Sequence, residues 1–465
     1  MKKFFSAIIL GSTLFAASCS KSDNQPTPPP VVPPVTPVDS TTTLDIRGVI
    51  KTDQVWHKSR KYRLRGYVYV TDGAKITIEA GTTIISNKDS AGVLVIYRDA
   101  TIIAEGSASA PIVFTSAEAT PNPGDLGGVI LVGQARGNGN HSVLEGGVDP
   151  AYSSFGGTND AHSSGTLKYV RIEYAGKAVN PGDEVNGLSL YGVGSGTTID
   201  YVEVVRGLDD AFEFFGGTVN CKHLIAYNSA DDDFDMDDGF SGKIQYAISV
   251  KDPKFTDNKG TTGDLSNNFE VDNVNPANGF LWTRAPITGP TLSNFTAIGP
   301  NNAAGTSTDY GYGMRWRRGT KFILANSIVM GSQRVGLDID DDSTASFYKS
   351  GTSSFYNSFL NAYGKPYQVD KLVSNPKILD SAQLASITQT TNLSVYYTDA
   401  SAIQLTDPFN DASPNLKPKA GSPALTTTGK FDKGLLTDAF FDKTNYIGAL
   451  DATNDWTSGW AVWGK

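Results

Sequence analysis

The chain has 465 residues, 39% of them apolar and 19% charged, with a net charge of −9, 48 glycines and two cysteines. The acidic balance argues against nucleic acid as a partner. The length would accommodate two or three ordinary domains, but internal repetition points to one elongated domain preceded by an export and tether segment.

In chain order, Lys2 and Lys3 supply a positive start, and Phe4 to Ala17 is an apolar run too short to span a bilayer. The run closes on Ala16-Ala17-Ser18-Cys19, which resembles a bacterial lipobox with alanine in place of the usual leucine. Residues 1–18 are therefore expected to be a lipoprotein signal peptide, with Cys19 the lipidated first residue of the mature chain. Residues 19–44 form a polar, proline-rich tether, including PTPPPVVPPVTP from Pro26 to Pro37. Such a sequence builds no core and prefers extended polyproline geometry, at about 3.1 Å per residue. Ser22-Asp23-Asn24 resembles the acidic surface-export signal of Bacteroidota lipoproteins. The expected location is the outer membrane, lipid-anchored and facing the cell exterior. With Cys19 acylated, Cys221 is the remaining thiol and no intramolecular disulfide can form.

From residue 45 onward short alternating runs recur, each closed by Gly, Asn or Asp. One unit reads apolar–variable–apolar: Val129-Ile130-Leu131, Leu188-Ser189-Leu190, Phe212-Glu213-Phe214, Phe234-Asp235-Met236, Phe269-Glu270-Val271, Met314-Arg315-Trp316 and Leu337-Asp338-Ile339. A second interleaves with it: LKYVRIEY from Leu167, IDYVEVV from Ile199, CKHLIAY from Cys221, IQYAISV from Ile244 and LSNFTAI from Leu292. Spacings of 188 to 212 to 234 and 314 to 337 fit one coil of a solenoid. Side chains alternate across a strand, so the apolar members face inward and the middle residue outward. The expected fold is all-β, a right-handed parallel β-helix with capped ends over residues 45–425; irregular coil lengths and one-sided insertions set it apart from a propeller or sandwich. YVYVTDGAKITIEAGTTI (67–84) and ATIIAEGSASAPIVFTS (100–116) read as the first coils. Asp407-Pro408-Phe409 with Gly421-Ser422-Pro423-Ala424-Leu425 reads as the last rung, and the aromatic-rich residues 426–465 as a C-terminal cap.

GGVILVG (127–133), YVRIEYAG (169–176), NGLSLYGVGSGTTIDYVEV (186–204), DDAFEFFGGTV (209–219) and DDDFDMDDGFSGKIQYA (231–247) resemble a group of Bacteroidota β-helix lipoproteins, similar in architecture to the pectin-lyase-like superfamily. The resemblance implies fold, whereas function has to be argued from a site.

Stacking the first unit aligns Ser189, Glu213, Asp235, Glu270, Arg315 and Asp338 in one column, expected to face solvent. Asp210, Asp232 and Asn267 run along one side; Asp237, Asp272, Arg317 and Asp340 run along the other. Between 209 and 238 there are nine acidic residues and one lysine, a local charge of −8. Stacked carboxylates repel one another and need a reason. They could bind Ca²⁺, whose appetite for oxygen ligands fits Asp210, Glu213, Asp232, Asp235, Asp237, Glu270 and Asp272. They could supply an acid/base pair for glycosidic cleavage, with Glu213, Asp235 and Arg315 the catalytic candidates. Or they could be a solvated face whose Asp and Asn side chains complete turns. Asp233, Asp235 and Asp237 do not make an EF-hand loop, because Gly239 arrives one position late and the bidentate Glu is missing. The His-Gly and Arg-x-Lys segments of polygalacturonase-like hydrolases are also absent, and His223 is expected to face a neighbouring rung. In a pectate-lyase-like scheme Arg315 would be the base.

Insertions at 251–266, 272–290 and 300–311 are expected to wall a groove beside these rungs. They carry Phe255, Trp282 and Tyr310, with Tyr312 just beyond, as aromatic faces for a sugar or protein partner. Trp282, Tyr310, Tyr312, Arg315 and Arg317 are the candidate ligand contacts. The sequence thus predicts a surface lipoprotein that presents an acidic, Ca²⁺-binding flank to an extracellular polysaccharide or an outer-membrane transporter. A polysaccharide lyase or glycoside hydrolase on the same flank, and a structural or adhesive rod, are the alternatives.

Overall fold

Each coil contributes to three parallel sheets, because the apolar repeat can be buried only against the coils above and below. In the computed structural model, described for residues 42–465 except 181–182 and 258–263, the first sheet stacks Val68–Val70 on Val93–Ile96, then Val129–Val132, Leu188–Tyr191, Phe212–Phe215, Phe234–Asp237 and Phe269–Val271. It continues through Tyr312–Arg317, Val335–Asp340 and Lys365–Asp370. Every step is parallel and in register, so the right-handed parallel β-helix expected from the repeat is the fold. The signal peptide, Cys19 and the tether up to residue 41 lie outside the described residues; the first strand opens at Thr43, two residues before the expected start of the body.

The second repeat unit supplies both remaining sheets. Strands such as Gly165–Glu173, Thr198–Val205, Asn220–Tyr227 and Lys243–Val250 each bend once in the middle. The bend falls on one residue in the left-handed region: Tyr169 (φ 50°), Tyr201 (55°), His223 (52°), Tyr246 (64°), then Asn294 (58°), Asn326 (51°) and Asn357 (48°). One left-handed residue turns the strand from one sheet into the next without breaking the ladder. The residue before the bend pairs within the second sheet and the residue after it within the third, as in Asp200↔Lys222 and Val202↔Leu224.

The lumen between the sheets is the main core, with Phe212, Phe214, Phe234, Phe269, Phe295, Trp316 and Phe322 fully buried in it. Phe212 stacks on Phe234 at 5.4 Å and Phe234 on Phe269 at 5.6 Å. Each such pair contributes about 0.5–1.5 kcal/mol beyond the area it buries. The far end is closed by the short helix Ser381–Ser386, started by an Asp380/Gln383 capping box, which places Leu384 in the lumen.

Among the described residues three apolar clusters lie outside the lumen, the smallest joining Ala325 and Tyr356 to Leu436 and Phe441. Residues 134–164 cover the early rungs of the first sheet, burying Val95, Ile130, Tyr191 and Phe215. This loop rejoins the helix at Gly165 (φ 112°), where a Cβ would lie 1.9 Å from the Ile102 carbonyl oxygen. The C-terminal segment covers the third sheet. Here the structure departs from the expected last rung and end cap. Leu405–Asp407 and Asn415–Pro418 form an antiparallel hairpin, and Pro423–Thr426 is a helical turn. The chain then runs back along the side of the solenoid instead of across its end. Trp456 and Trp460 meet the rings of Tyr201 edge-on, and Trp463 meets Tyr227. The cause is the outer face of the third sheet, where Ile225, Ile248, Ile298 and Met330 are apolar and require a cover.

Candidate metal centre

The outward column is in the register read from the sequence: Ser189↔Glu213, Glu213↔Asp235, Asp235↔Glu270, Glu270↔Arg315 and Arg315↔Asp338 are direct cross-strand partners. Its environment differs from the expected one. Ser189, Glu213, Glu270, Arg315 and Asp338 are all at least 92% buried, and Asp235 is half-buried. The column emerges where the loop 134–164 ends and is bordered downstream by residues 273–288. The side chains that meet it come from the same or neighbouring coils, Asn186 at Glu213 and Asn267, Arg315 and Arg317 at Glu270.

Along one side runs a ladder of Asx side chains. Asp210 Oδ1 accepts from the Asp232 amide (2.8 Å), Asp232 Oδ1 from the Asn267 amide (2.5 Å), and Asn267 Oδ1 from the Tyr312 amide (2.8 Å). Each therefore completes a turn on the next coil, as the third reading proposed for such residues, while Asp210 and Asp232 keep a second oxygen for other partners. On the other side Asp272 is fully engaged, with Oδ1 2.6 Å from Arg317 Nε and Oδ2 2.5 Å from Arg318 Nη1. Two guanidiniums neutralise it, so Asp272 drops out of the expected metal set. Arg317 also pairs with Glu270.

The remaining carboxylates converge. Oxygens of Asp210, Glu213 and Asp235 fall within 4.8 Å of one another, as do those of Asp232, Asp235 and Glu270, and those of Asp209, Asp210 and Asp231. Asp235 belongs to two of these groups, and its Oδ1 is buried with no hydrogen-bond partner. Glu213 is met by the Asn186 side-chain amide. Two carboxylates one rung apart repel by about 3 kcal/mol at an effective dielectric of 20, so the group must hold protons or a cation. Burial pushes the carboxyls of Asp210, Glu213 and Asp235 well up, and their mutual repulsion pushes them further. Glu270 is raised to about 7 by burial, against the pull of Arg317. Asp338 is raised to about 7 by burial and by Asp340.

The ligand-contact candidates fare unevenly. Tyr310 is 1% exposed, and its hydroxyl donates to the carbonyls of Asp252 (2.5 Å) and Phe255 (2.6 Å). It pins the 251–257 loop and offers no face to a ligand, which corrects that expectation. Arg317 is likewise locked between Glu270 and Asp272, its guanidinium 11% exposed. Arg315 lies 3.4 Å from Glu270 and 3.6 Å from both Asp264 and Asp340, over the ring of Tyr312 at 4.9 Å. It is a charge partner of the column: burial pulls its pKa down, and the carboxylates around it, Glu270 first, outweigh that and hold it above the ordinary arginine value. Tyr312 and Trp282 are half-buried, and Trp282 is held by its own carbonyl, which accepts from Asn273 Nδ2 at 2.8 Å. His223 is stacked between Tyr201 (4.1 Å) and Tyr246 (5.0 Å) with Nδ1 2.8 Å from Asp200, facing neighbouring rungs as expected.

Sequence reasoning missed Asn186, Glu145 and His141. The side chains of His141 and Asp238 meet across 97 positions of sequence, so no local spacing announces them.

The family model described as pectate-lyase like beta helix domain matches residues 48–403, most of the chain, and the protein belongs to that family. No curated protein matches it. Among solved structures the chain is similar to the crystal structure of pectate lyase Pel9A, at 14% identity over 82% of this chain and 88% of that one, with a TM-score of 0.33. That overlap is too loose to support an inference about activity.

Proposed function

We propose that this β-helix binds an extracellular polysaccharide through Ca²⁺ held by Asp210, Glu213, Asp232, Asp235 and Glu270. The observation that carries the reading is the buried, unpartnered Oδ1 of Asp235 at the point where two carboxylate triads meet. Ca²⁺ takes six to eight oxygen ligands in flexible geometry, which suits acidic side chains from successive coils. A cation bound there keeps positions for oxygens of a ligand, and an acidic sugar chain would supply them. Half-buried Tyr312 and Trp282 border the same face. The anchoring part of the proposal is acylation at Cys19, with the β-helix on the outer face of the outer membrane, where polysaccharide or a transporter could be met.

The test is a thermal melt of EDTA-treated protein with and without millimolar Ca²⁺. Saturation to about 100 times Kd stabilises by about 2.7 kcal/mol, which is a rise of several degrees. Asp235→Asn should melt higher than the parent without metal, because repulsion is relieved, and should lose the Ca²⁺ shift. No shift in the parent would refute the cation. A Ca²⁺ shift without Ca²⁺-dependent retention on polygalacturonate would refute the ligand.

Cleavage of the bound chain is a second reading, favoured by Asp338, the cross-strand partner of Arg315, whose carboxyl is pushed up to about 7 by burial and by Asp340, toward the range of a general acid. Appearance of new sugar ends in the same incubation, lost in Asp338→Asn, would establish it.

A further inference from the structure

His141 lies on the loop that leaves the first sheet after Val132, and the loop is fastened where the histidine sits. Asn138 Nδ2 donates to the Asn273 carbonyl (2.7 Å), Asn140 Nδ2 to Asp238 Oδ1 (2.9 Å), and the Asn275 amide to Asn140 Oδ1 (2.7 Å). The imidazole meets the Phe215 ring edge-on at 5.3 Å. Its Nδ1 is 3.0 and 3.1 Å from the two oxygens of Asp238, whose side chain is completely buried. Asp237, at the end of the preceding strand, adds a third ligand atom within 4.8 Å of the other two. Its Oδ1 is buried and has no hydrogen-bond partner, although both Asp238 and Asp272 repel it.

We infer that His141, Asp237 and Asp238 form a second cation site, distinct from the all-oxygen site around Asp235 and suited to Zn²⁺. An imidazole nitrogen beside two carboxylates is a donor set for Zn²⁺ and unlike the oxygen cages of Ca²⁺. Zn–N and Zn–O bonds of about 2.0–2.2 Å place tetrahedral ligands about 3.3 Å apart. The Nδ1–Asp238 separations are already close to that value. The unpartnered Asp237 oxygen would then gain the partner it lacks, and the fourth position would stay open to water or a ligand. Glu145 Oε1 stands 3.7 Å from Nε2 on the outer side of the ring, where a carboxylate commonly orients a metal-bound histidine. A cation here would staple the 134–164 loop to the sheet. The inference is independent of the Ca²⁺ reading, since the two sites share no ligand.

The test is calorimetric titration of EDTA-treated protein with Zn²⁺ in saturating Ca²⁺, with Co²⁺ as a spectroscopic probe. The expected result is one equivalent of Zn²⁺ and visible Co²⁺ bands of a four-coordinate site. Both should weaken at least tenfold in His141→Ala and Asp237→Asn, and persist in Asp235→Asn and in His57→Ala, which removes the exposed His57–Glu79 pair. Asp237→Asn is near-isosteric and should melt higher than the parent without metal, so it reports even if the histidine variant folds poorly. Absence of Zn²⁺ binding, or binding undiminished in Asp237→Asn, overturns the site. Loss confined to Asp235→Asn would place the ion among the neighbouring carboxylates and overturn it equally.

Discussion

Arg317 shows how much of this surface rests on one side chain. Its guanidinium meets Glu270 and Asp272, both almost without solvent contact. Removing one partner of a buried ion pair leaves the other charge uncompensated, typically at a cost of 3–5 kcal/mol. Arg317→Met leaves Asp272 with Arg318 and Glu270 with Arg315, so it should lower the unfolding free energy measured in urea by about 2 kcal/mol, below that range; a change under about 0.5 kcal/mol would show that the remaining guanidiniums and water compensate both carboxylates. Glu203 tests the opposite situation, a buried carboxyl with little compensation. It accepts from the Val462 amide and faces Arg171, Lys465 and the like-charged Glu173; burial raises it well above 4.5. The unfolded chain ionises near 4.5 while the folded one keeps its proton, so this residue's contribution falls as pH rises above about 4.5. Urea midpoints measured upward from that pH should decline less steeply in Glu203→Gln than in the parent. Parallel slopes would mean that Glu203 is ionised in the fold.

At the scale of the element, the bent strand shows what the sequence disclosed and what it hid. The first repeat unit was legible down to register, because strict alternation in Phe212-Glu213-Phe214 or Phe234-Asp235-Met236 admits one inward phase. The second unit hides its corner. Its inward residues are in fact spaced three apart across the bend, as in Leu167–Val170 and Leu292–Phe295, a slip of phase that marks the corner residue between them. The corner ladder is held by stacking where it is aromatic and by amides where it is Asn. Asn326, fully buried, donates to Ser293 Oγ and the Lys430 carbonyl, and accepts from the Lys430 amide and Asn357 Nδ2. Asn326→Gly keeps the backbone conformation but strands those groups, about 1–3 kcal/mol for a buried unmet partner. Asn326→Val adds the left-handed penalty of about 1–2 kcal/mol. Melts of the two variants should separate by that second amount, and identical melts would show that the backbone angle carries no cost. The acidic column was legible in register and misjudged in exposure, because its side chains pack against one another and against Asn186, Asn267 and Arg317 of the same or neighbouring coils, a lateral burial that strand alternation does not report.

For the whole molecule, the family match ends at residue 403, yet the outer face of the third sheet is closed by the residues C-terminal to that point. A chain stopped at Ile403 should expose Ile225, Ile248, Ile298 and Met330 together. Such a patch invites association, so the truncated protein should elute as aggregates and bind a hydrophobic dye that the full chain excludes. A monodisperse truncated protein would show that the C-terminal segment is dispensable cover. Solenoids without such a cover respond to local damage coil by coil. Here one segment touches rungs from both halves, through Gly448 at Asn326 and Val462 at Glu203, so distant coils should unfold in a single transition.

That segment also sets a clock on assembly. The amide of Val462 and the ammonium of Lys465 dock on Glu203 and Glu173, residues made 259 and 292 positions earlier. Coils can stack as the chain emerges, since each needs only its neighbour, but the outer face of the third sheet stays uncovered until the segment from Leu405 to Trp463 has been made and has folded back. During synthesis, then, the protein passes through an interval in which its lumen is complete and its flank still adhesive. A factor that binds apolar strands would find its substrate in that interval and lose it once the covering segment docks.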